Sequence, residues 1–169
     1  MAKIIYVTGG ERSGKSRYAQ EIALKFSDNP MYLATARIWD EDFNARISRH
    51  KNERDERWIT IEEEKNISKH DFTGKVVVMD CVTLWLTNFY FDTNYNPQTT
   101  FEQAKSEFDK LAKQEFTLIV ISNEIGMGLH ATTESSRKFV EIQGWINQHI
   151  AKISEEVFLM VSGVPLKIK

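Results

Sequence analysis

Residues 9–16 read Gly9-Gly10-Glu11-Arg12-Ser13-Gly14-Lys15-Ser16, directly after the apolar run Ile4-Ile5-Tyr6-Val7. Gly9, Gly14, Lys15 and Ser16 satisfy G-x-x-x-x-G-K-[ST], the pattern of a loop that cradles phosphate. Glycine allows backbone angles closed to other residues, so consecutive N–H groups can turn inward around phosphate oxygens. Lys15 brings a positive charge to the β and γ phosphates, and the Ser16 hydroxyl can ligate Mg²⁺. A helix over 15–26 would add its positive end to the same anion site. Together these residues predict binding of a nucleoside triphosphate.

A carboxylate is placed to complete that chemistry. The apolar run 76–79 ends in Asp80, and phosphate-loop proteins use such an acid, on a neighbouring strand, to hold the metal. Asp80 would bind Mg²⁺ directly or through water, with Ser16 as its partner. An ordinary turn aspartate has the same local pattern. The metal role is favoured because ligands gather at the carboxyl ends of strands in such sheets.

A third segment is Arg46-Ile47-Ser48-Arg49-His50-Lys51-Asn52-Glu53-Arg54. On a helix, Phe43, Ile47, His50 and Arg54 share one stripe. A neutral imidazole, with its ordinary pKa of about 6.5, is a good nucleophile near neutral pH. Neighbouring cations could stabilise a phosphoryl group in transfer and suppress protonation of the ring. A solvated, salt-bridged helix with an incidental histidine fits the same spacing.

The elements that must position these groups alternate along the chain. Strand-like runs cover 4–7, 31–34, 58–61, 75–79, 116–121 and 157–161, the last being the final strand. Helical periodicity covers 15–26, 42–57, 100–113 and 135–153, with a polar loop over 92–99. Ala19, Ile22, Ala23 and Phe26 define the buried face of the first helix; Trp145, Ile146 and Ile150 define that of the last. Continuous apolar strands separated by helices predict a mainly parallel sheet covered by helices on both faces, an α/β fold of the P-loop NTPase type. No repeat or linker divides the 169 residues, so one domain spanning 1–169 is expected.

Composition bounds the partners. Net charge is −2, which leaves no broad electrostatic footprint for nucleic acid or an anionic membrane. No apolar stretch approaches the roughly 20 residues that span a bilayer. Cys81 is the single cysteine, so no intrachain disulfide can form. The chain runs from Met1-Ala2-Lys3 into a strand with no signal peptide. A cytoplasmic protein without membrane insertion or a nucleic-acid partner is expected.

These motifs carry a family resemblance. The chain resembles the bifunctional adenosylcobinamide kinase / adenosylcobinamide-phosphate guanylyltransferases of cobalamin biosynthesis. The shared pieces are residues 8–16, Tyr32-Leu33-Ala34-Thr35-Ala36, Arg46-Ile47-Ser48-Arg49-His50-Lys51, Trp58-Ile59-Thr60-Ile61-Glu62 and Asp80-Cys81-Val82-Thr83. Two more follow: Ser122-Asn123-Glu124-Ile125-Gly126-Met127-Gly128 and residues 161–169. The resemblance implies phosphorylation of the aminopropanol hydroxyl of adenosylcobinamide by ATP or GTP. It further implies transfer of GMP from GTP to adenosylcobinamide phosphate through a guanylylated histidine, here His50, with release of pyrophosphate. His50 and Lys15 are the implied catalytic residues. The implied nucleotide contacts are Gly9, Gly10, Glu11, Arg12, Ser13, Gly14, Lys15, Ser16, Ala34, Thr35, Ala36, Lys51, Asn52, Glu53, Arg54, Glu62 and Asp80. Mg²⁺ would accompany GTP or ATP, held by Ser16 and Asp80, and the family implies a homotrimer. Glu11 departs from the small residue often found there, and Asp80 stands where some relatives carry Glu.

Other segments are less specific. Asn123-Glu124 follows a buried strand and should reach the sheet edge that carries Asp80, either to contact substrate or metal or merely as a strand-to-loop turn. Trp85, Phe89, Tyr90 and Phe91 suit core or subunit packing. His70, His130 and His149 lack metal-ligand spacing. Two other functions share the phosphate loop: a small-metabolite kinase with a structural His50, and a nucleotide-binding module without turnover.

Overall fold

The computed structural model describes residues 1–38 and 54–169. Much of the expected helix over 42–57 therefore lies outside the described residues, as do Phe43, Ile47, His50, Lys51, Asn52 and Glu53. Residues 54–57 are described and form a bend and turn rather than helix.

Among the described residues the order is β1 (Lys3–Gly9), α1 (Lys15–Phe26), β2 (Met31–Ala34), β3 (Ile59–Glu62), β4 (Val76–Asp80) and α2 (Val82–Asp92). Then come α3 (Pro97–Ala112), β5 (Thr117–Ile121), α4 (Glu134–Ile153), β6 (Glu156–Val161) and β7 (Val164–Lys167). The strands form one sheet in the order β3-β2-β4-β5-β1-β6-β7. Every pairing is parallel except β6 with β7. Parallel strands covered on both faces must be apolar on both, which is why their sequences read as unbroken hydrophobic runs.

Each strand sends alternate side chains to opposite faces. Ile4, Tyr6, Val77, Met79, Leu118 and Val120 join the larger core, packed against Trp85, Phe89, Phe108 and Ile146 of α2, α3 and α4. Ile5, Val7, Val78, Ile119 and Ile121 face the other way, against Ala19, Ile22 and Ala23 of α1. A P-loop NTPase-like α/β fold results, with helices on both faces.

Some elements differ from expectation. Phe26 is 49% exposed, with the Lys3 ammonium over its ring, so the apolar face of α1 ends at Ala23. Trp145 is 42% exposed and packs edge-on against Phe101 rather than entering the core with Ile146 and Ile150. The chain does not finish with β6. Ser162 and Gly163, both at positive φ, turn it back into β7, as two-residue hairpin turns require. Helix α3 starts inside the expected polar loop, where Asn96 accepts from Thr99 N–H at 2.9 Å and Pro97 fills the first turn.

Candidate functional site

Parallel pairing carries the carboxyl ends of six strands, β1 to β6, to one edge of the sheet. In register, Ala34 pairs with both Glu62 and Asp80, and Asp80 pairs with Ile121, which pairs with Val7 two residues before Gly9. This edge brings the loop 9–16, Ala34, Thr35, Ala36, Glu62 and Asp80 to one side of the molecule.

The loop from Gly9 to Lys15 closes on itself. Gly14, at φ 92° and ψ 12°, takes the left-handed conformation that starts α1. Among the described residues no side chain caps that helix, and its first turn holds no acid. Its first N–H groups therefore remain available to an anion. Lys15 is buried, and its Nζ donates to Gly10 O at 2.5 Å and to Ser13 Oγ at 3.5 Å. Burial lowers the pKa of this ammonium, against smaller raising effects from Cys81, Glu11 and Asp80. Among the described residues Lys15 forms no ion pair. A buried cation held only by neutral acceptors favours an anionic ligand. Glu11 and Arg12 are exposed.

Asp80 faces this loop. Its Oδ2 accepts from Ser16 Oγ at 2.9 Å and from Tyr32 Oη at 2.5 Å. Burial, and then the Asp80 carboxylate, push the Tyr32 phenol well above its ordinary value, so it stays a donor. The Arg54 guanidinium lies 3.6 Å from the centroid of the Tyr32 ring. One stack thus connects Arg54 to the Asp80 carboxylate. The sequence motif contains Tyr32, but its link to Asp80 was not anticipated. A tyrosine inside a buried apolar strand is the available signal, because its hydroxyl needs a partner.

Thr35, one of the expected nucleotide positions, and residues beside it are firmly held. Thr35 is fully buried, donating from Oγ1 to Cys81 O at 2.8 Å and from its backbone N–H to Asp80 O at 3.2 Å. Asn88 on α2 donates to Thr35 O at 2.8 Å and to Glu64 O at 2.9 Å. Arg37 binds Asp92 through two hydrogen bonds, of 2.9 and 3.1 Å, and Glu64 through one of 2.6 Å. Arg37, followed by Lys65, holds the Asp92 carboxyl far below the usual range. Glu62 is exposed at the end of β3. His50, Lys51, Asn52 and Glu53 lie outside the described residues, so only Arg54 of that group is placed.

Asn123 and Glu124 reach the same edge. Asn123 Nδ2 donates to Thr83 Oγ1 at 3.0 Å, and Glu124 N–H donates to Gly9 O at 3.1 Å. Cys81 is buried, and burial pushes its thiol up to about 12, which suits a small core residue. His149 contacts Asp109 Oδ1 at 2.6 Å on α3, remote in sequence from these strand ends. Among the described residues no group of three or more His, Cys, Asp and Glu gathers as a metal cluster. Among the same residues no helix is long and apolar enough to cross a membrane.

Strand, glycine loop and uncapped helix, faced by a carboxylate from a neighbouring parallel strand, define a nucleotide-binding α/β protein of the P-loop type. A solved ATPase from the type III secretion system of pathogenic bacteria has the same fold, with a TM-score of 0.56 over 94% of this chain and 51% of that one. At 9% identity that likeness concerns the fold alone. Residues 5–168 match the family of cobinamide kinase / cobinamide phosphate guanyltransferase. The bifunctional adenosylcobalamin biosynthesis protein CobU of Escherichia coli is 34% identical, covering 98% of this chain and 99% of its own length. CobP of Pseudomonas aeruginosa is 34% identical over 96% of this chain and 95% of its own, and CobU of Salmonella typhimurium is 32% identical over 98% and 99%. The chain belongs to this family of bifunctional kinase/guanylyltransferases of cobalamin biosynthesis.

Proposed function

We propose that this chain, acting as one domain over 1–169, phosphorylates the aminopropanol hydroxyl of adenosylcobinamide with ATP or GTP and then transfers GMP from GTP to the new phosphate. The observation that carries this most strongly is the buried Lys15, without an ion-pair partner among the described residues, beside the Ser16–Asp80 contact.

Each residue then has a definite task. Backbone N–H groups of Gly9 to Ser16 hold the phosphates, and Lys15 offsets charge that grows on them during transfer. Ala34, Thr35, Ala36, Lys51, Asn52, Glu53, Arg54 and Glu62 contact the rest of the nucleotide. The Ser16 hydroxyl and Asp80 carboxylate are both hard oxygen donors, already 2.9 Å apart, and suit Mg²⁺, which takes few protein ligands beside phosphate and water. Bound there, Mg²⁺ would neutralise phosphate charge.

In the second reaction neutral His50 attacks the α-phosphorus of GTP. A P–N bond forms, the bond to the bridging oxygen breaks, and pyrophosphate leaves. A phosphate oxygen of adenosylcobinamide phosphate then attacks the same phosphorus and releases the imidazole. The family resemblance further supports a homotrimer, which light scattering on the purified protein would test.

The direct test supplies adenosylcobinamide and ATP, then adenosylcobinamide phosphate and GTP, and identifies the products by mass. Adenosylcobinamide phosphate and adenosyl-GDP-cobinamide are expected. Nucleotide binding without either product would overturn the proposal.

A further inference from the structure

The sheet edge holds a carboxylate to which the roles above give no task. Glu124 follows β5, the strand between β1, which leads into the phosphate loop, and β4, which ends in Asp80. Hydrogen bonds from Ser122 N–H to Val7 O (3.0 Å) and from Glu124 N–H to Gly9 O (3.1 Å) carry the β1–β5 pairing beyond the strands. They fasten Glu124 to the first residue of the loop.

A set of buried polar side chains fixes its orientation. Thr8 Oγ1 donates to Glu124 Oε1 at 2.9 Å, and Asn147 Nδ2 lies 3.4 Å from the same oxygen. Asn147 also donates to Asn123 O at 3.1 Å and accepts from Ser122 Oγ at 2.7 Å and Gln143 Nε2 at 2.9 Å. Thr8, Ser122, Gln143 and Asn147 are all buried. Burying four polar side chains is costly unless they bond to one another. Here Gln143 donates from Nε2 to Ser122 Oγ and Asn147 Oδ1, while its Oε1 is buried without a partner among the described residues. The bonds that do form fix the geometry. This network ends on a single carboxylate oxygen. Among the described residues no Lys or Arg pairs with Glu124, and none donates a hydrogen bond to its Oε2; both contacts fall on Oε1. Neither ion pairing nor core packing accounts for so carefully held a carboxylate.

We propose that Glu124 is the general base of the kinase half-reaction, which rests on the function proposed above. Its Oε2 accepts the proton of the aminopropanol hydroxyl while that oxygen bonds to the γ-phosphorus. The bond from the γ-phosphorus to the bridging oxygen breaks and the nucleoside diphosphate leaves. The guanylyl-transfer half needs no such base. There the nucleophiles are a neutral imidazole nitrogen and an ionised phosphate oxygen, neither of which has a proton to give up at the moment of attack.

Glu124→Gln keeps the acceptor for Thr8 and Asn147 and removes the basicity. Kinase turnover should fall by about 10²–10⁴-fold, and the acid limb of its pH–rate profile should disappear. Guanylyl transfer to supplied adenosylcobinamide phosphate should stay within about twofold, since the base is not used there. Glu124→Asp, which keeps a base one methylene shorter, should recover part of the kinase rate and restore the limb. A normal kinase rate in Glu124→Gln would overturn the assignment. An equal fall of both reactions, with melting temperature and nucleotide affinity intact, would also overturn it. Wild-type protein with no kinase activity would overturn the function proposed above and this inference with it.

Discussion

Two adjacent glycines should answer very differently to the same added methyl group. Gly9 lies at φ 152°, and a Cβ there would sit 2.7 Å from Met160 O and 2.8 Å from Ser13 Oγ. Met160 O belongs to backbone paired with Gly9 across β1 and β6. Relief therefore requires either the sheet to open or the loop to move. Backbone strain of about 1–3 kcal/mol and overpacking of about 1–3 kcal/mol make a total near 2–6 kcal/mol. At about 2–4 °C per kcal/mol for a domain of this size, Gly9→Ala should lower the melting temperature on the order of 10 °C. A displaced loop costing 1.4 kcal/mol of binding would weaken GTP about tenfold. Gly10 has none of the described residues within 4 Å of its would-be Cβ and a φ outside the left-handed region. Gly10→Ala should change stability by no more than about 0.5 kcal/mol. Thermal melting and calorimetric GTP titration of both variants supply the assay. Equal damage from the two substitutions, or a wild-type Gly9→Ala, would refute the steric reasoning.

Lys15→Ala should reduce both activities by about 10²–10³-fold without lowering the melting temperature, because it removes a buried cation that has no ion-pair partner among the described residues; activity and melting measured on one preparation check both halves. Glu63 should make stability acid-sensitive. Burial alone would raise its carboxyl, but the Lys69 ammonium and the N–H groups of Lys65 and Asn66 outweigh burial and hold it at about 2, against an ordinary 4.5. That stabilisation, on the order of 3 kcal/mol, is complete above the ordinary value and lost as pH falls through the folded one. The gap in melting temperature between wild type and Glu63→Gln should accordingly narrow from pH 5 toward pH 2, and a gap independent of pH would remove the ionised Glu63 from the account.

The parallel sheet was legible because strands buried on both faces must be apolar throughout, as Val76–Asp80 and Thr117–Ile121 are. Helix α2 was not legible. Its sequence, VTLWLTNFYFD, is rich in aromatic and β-branched residues and is buried at Val82, Trp85, Leu86, Asn88, Phe89 and Tyr90. Burial on so many sides leaves no polar stripe to reveal the helical period. Strand β7 escaped for the opposite reason: all four of its residues are exposed, so no alternation marks a buried face. Pro165 fits such an edge strand, where an N–H can be spared.

At the site, Gly9 to Ser16 and Asp80 could be read because local spacing carries their chemistry. The partners of those residues could not. Tyr32 meets Asp80 across 48 positions, and Thr8 meets Glu124 across 116. Only the register of the parallel strands brings such residues together. Trp145 was misplaced because helical spacing shows which side chains share a stripe but not how far around the helix its covering neighbours reach.

The central claim is that GMP passes through a covalent bond to His50. Purified protein should be incubated with Mg²⁺ and GTP labelled at the α-phosphate, then assayed for label that is labile in acid and stable in base. The account predicts a protein-bound phosphoramidate in the wild type and none in His50→Ala. GTP that binds but leaves no label, or label that persists in His50→Ala, would contradict it.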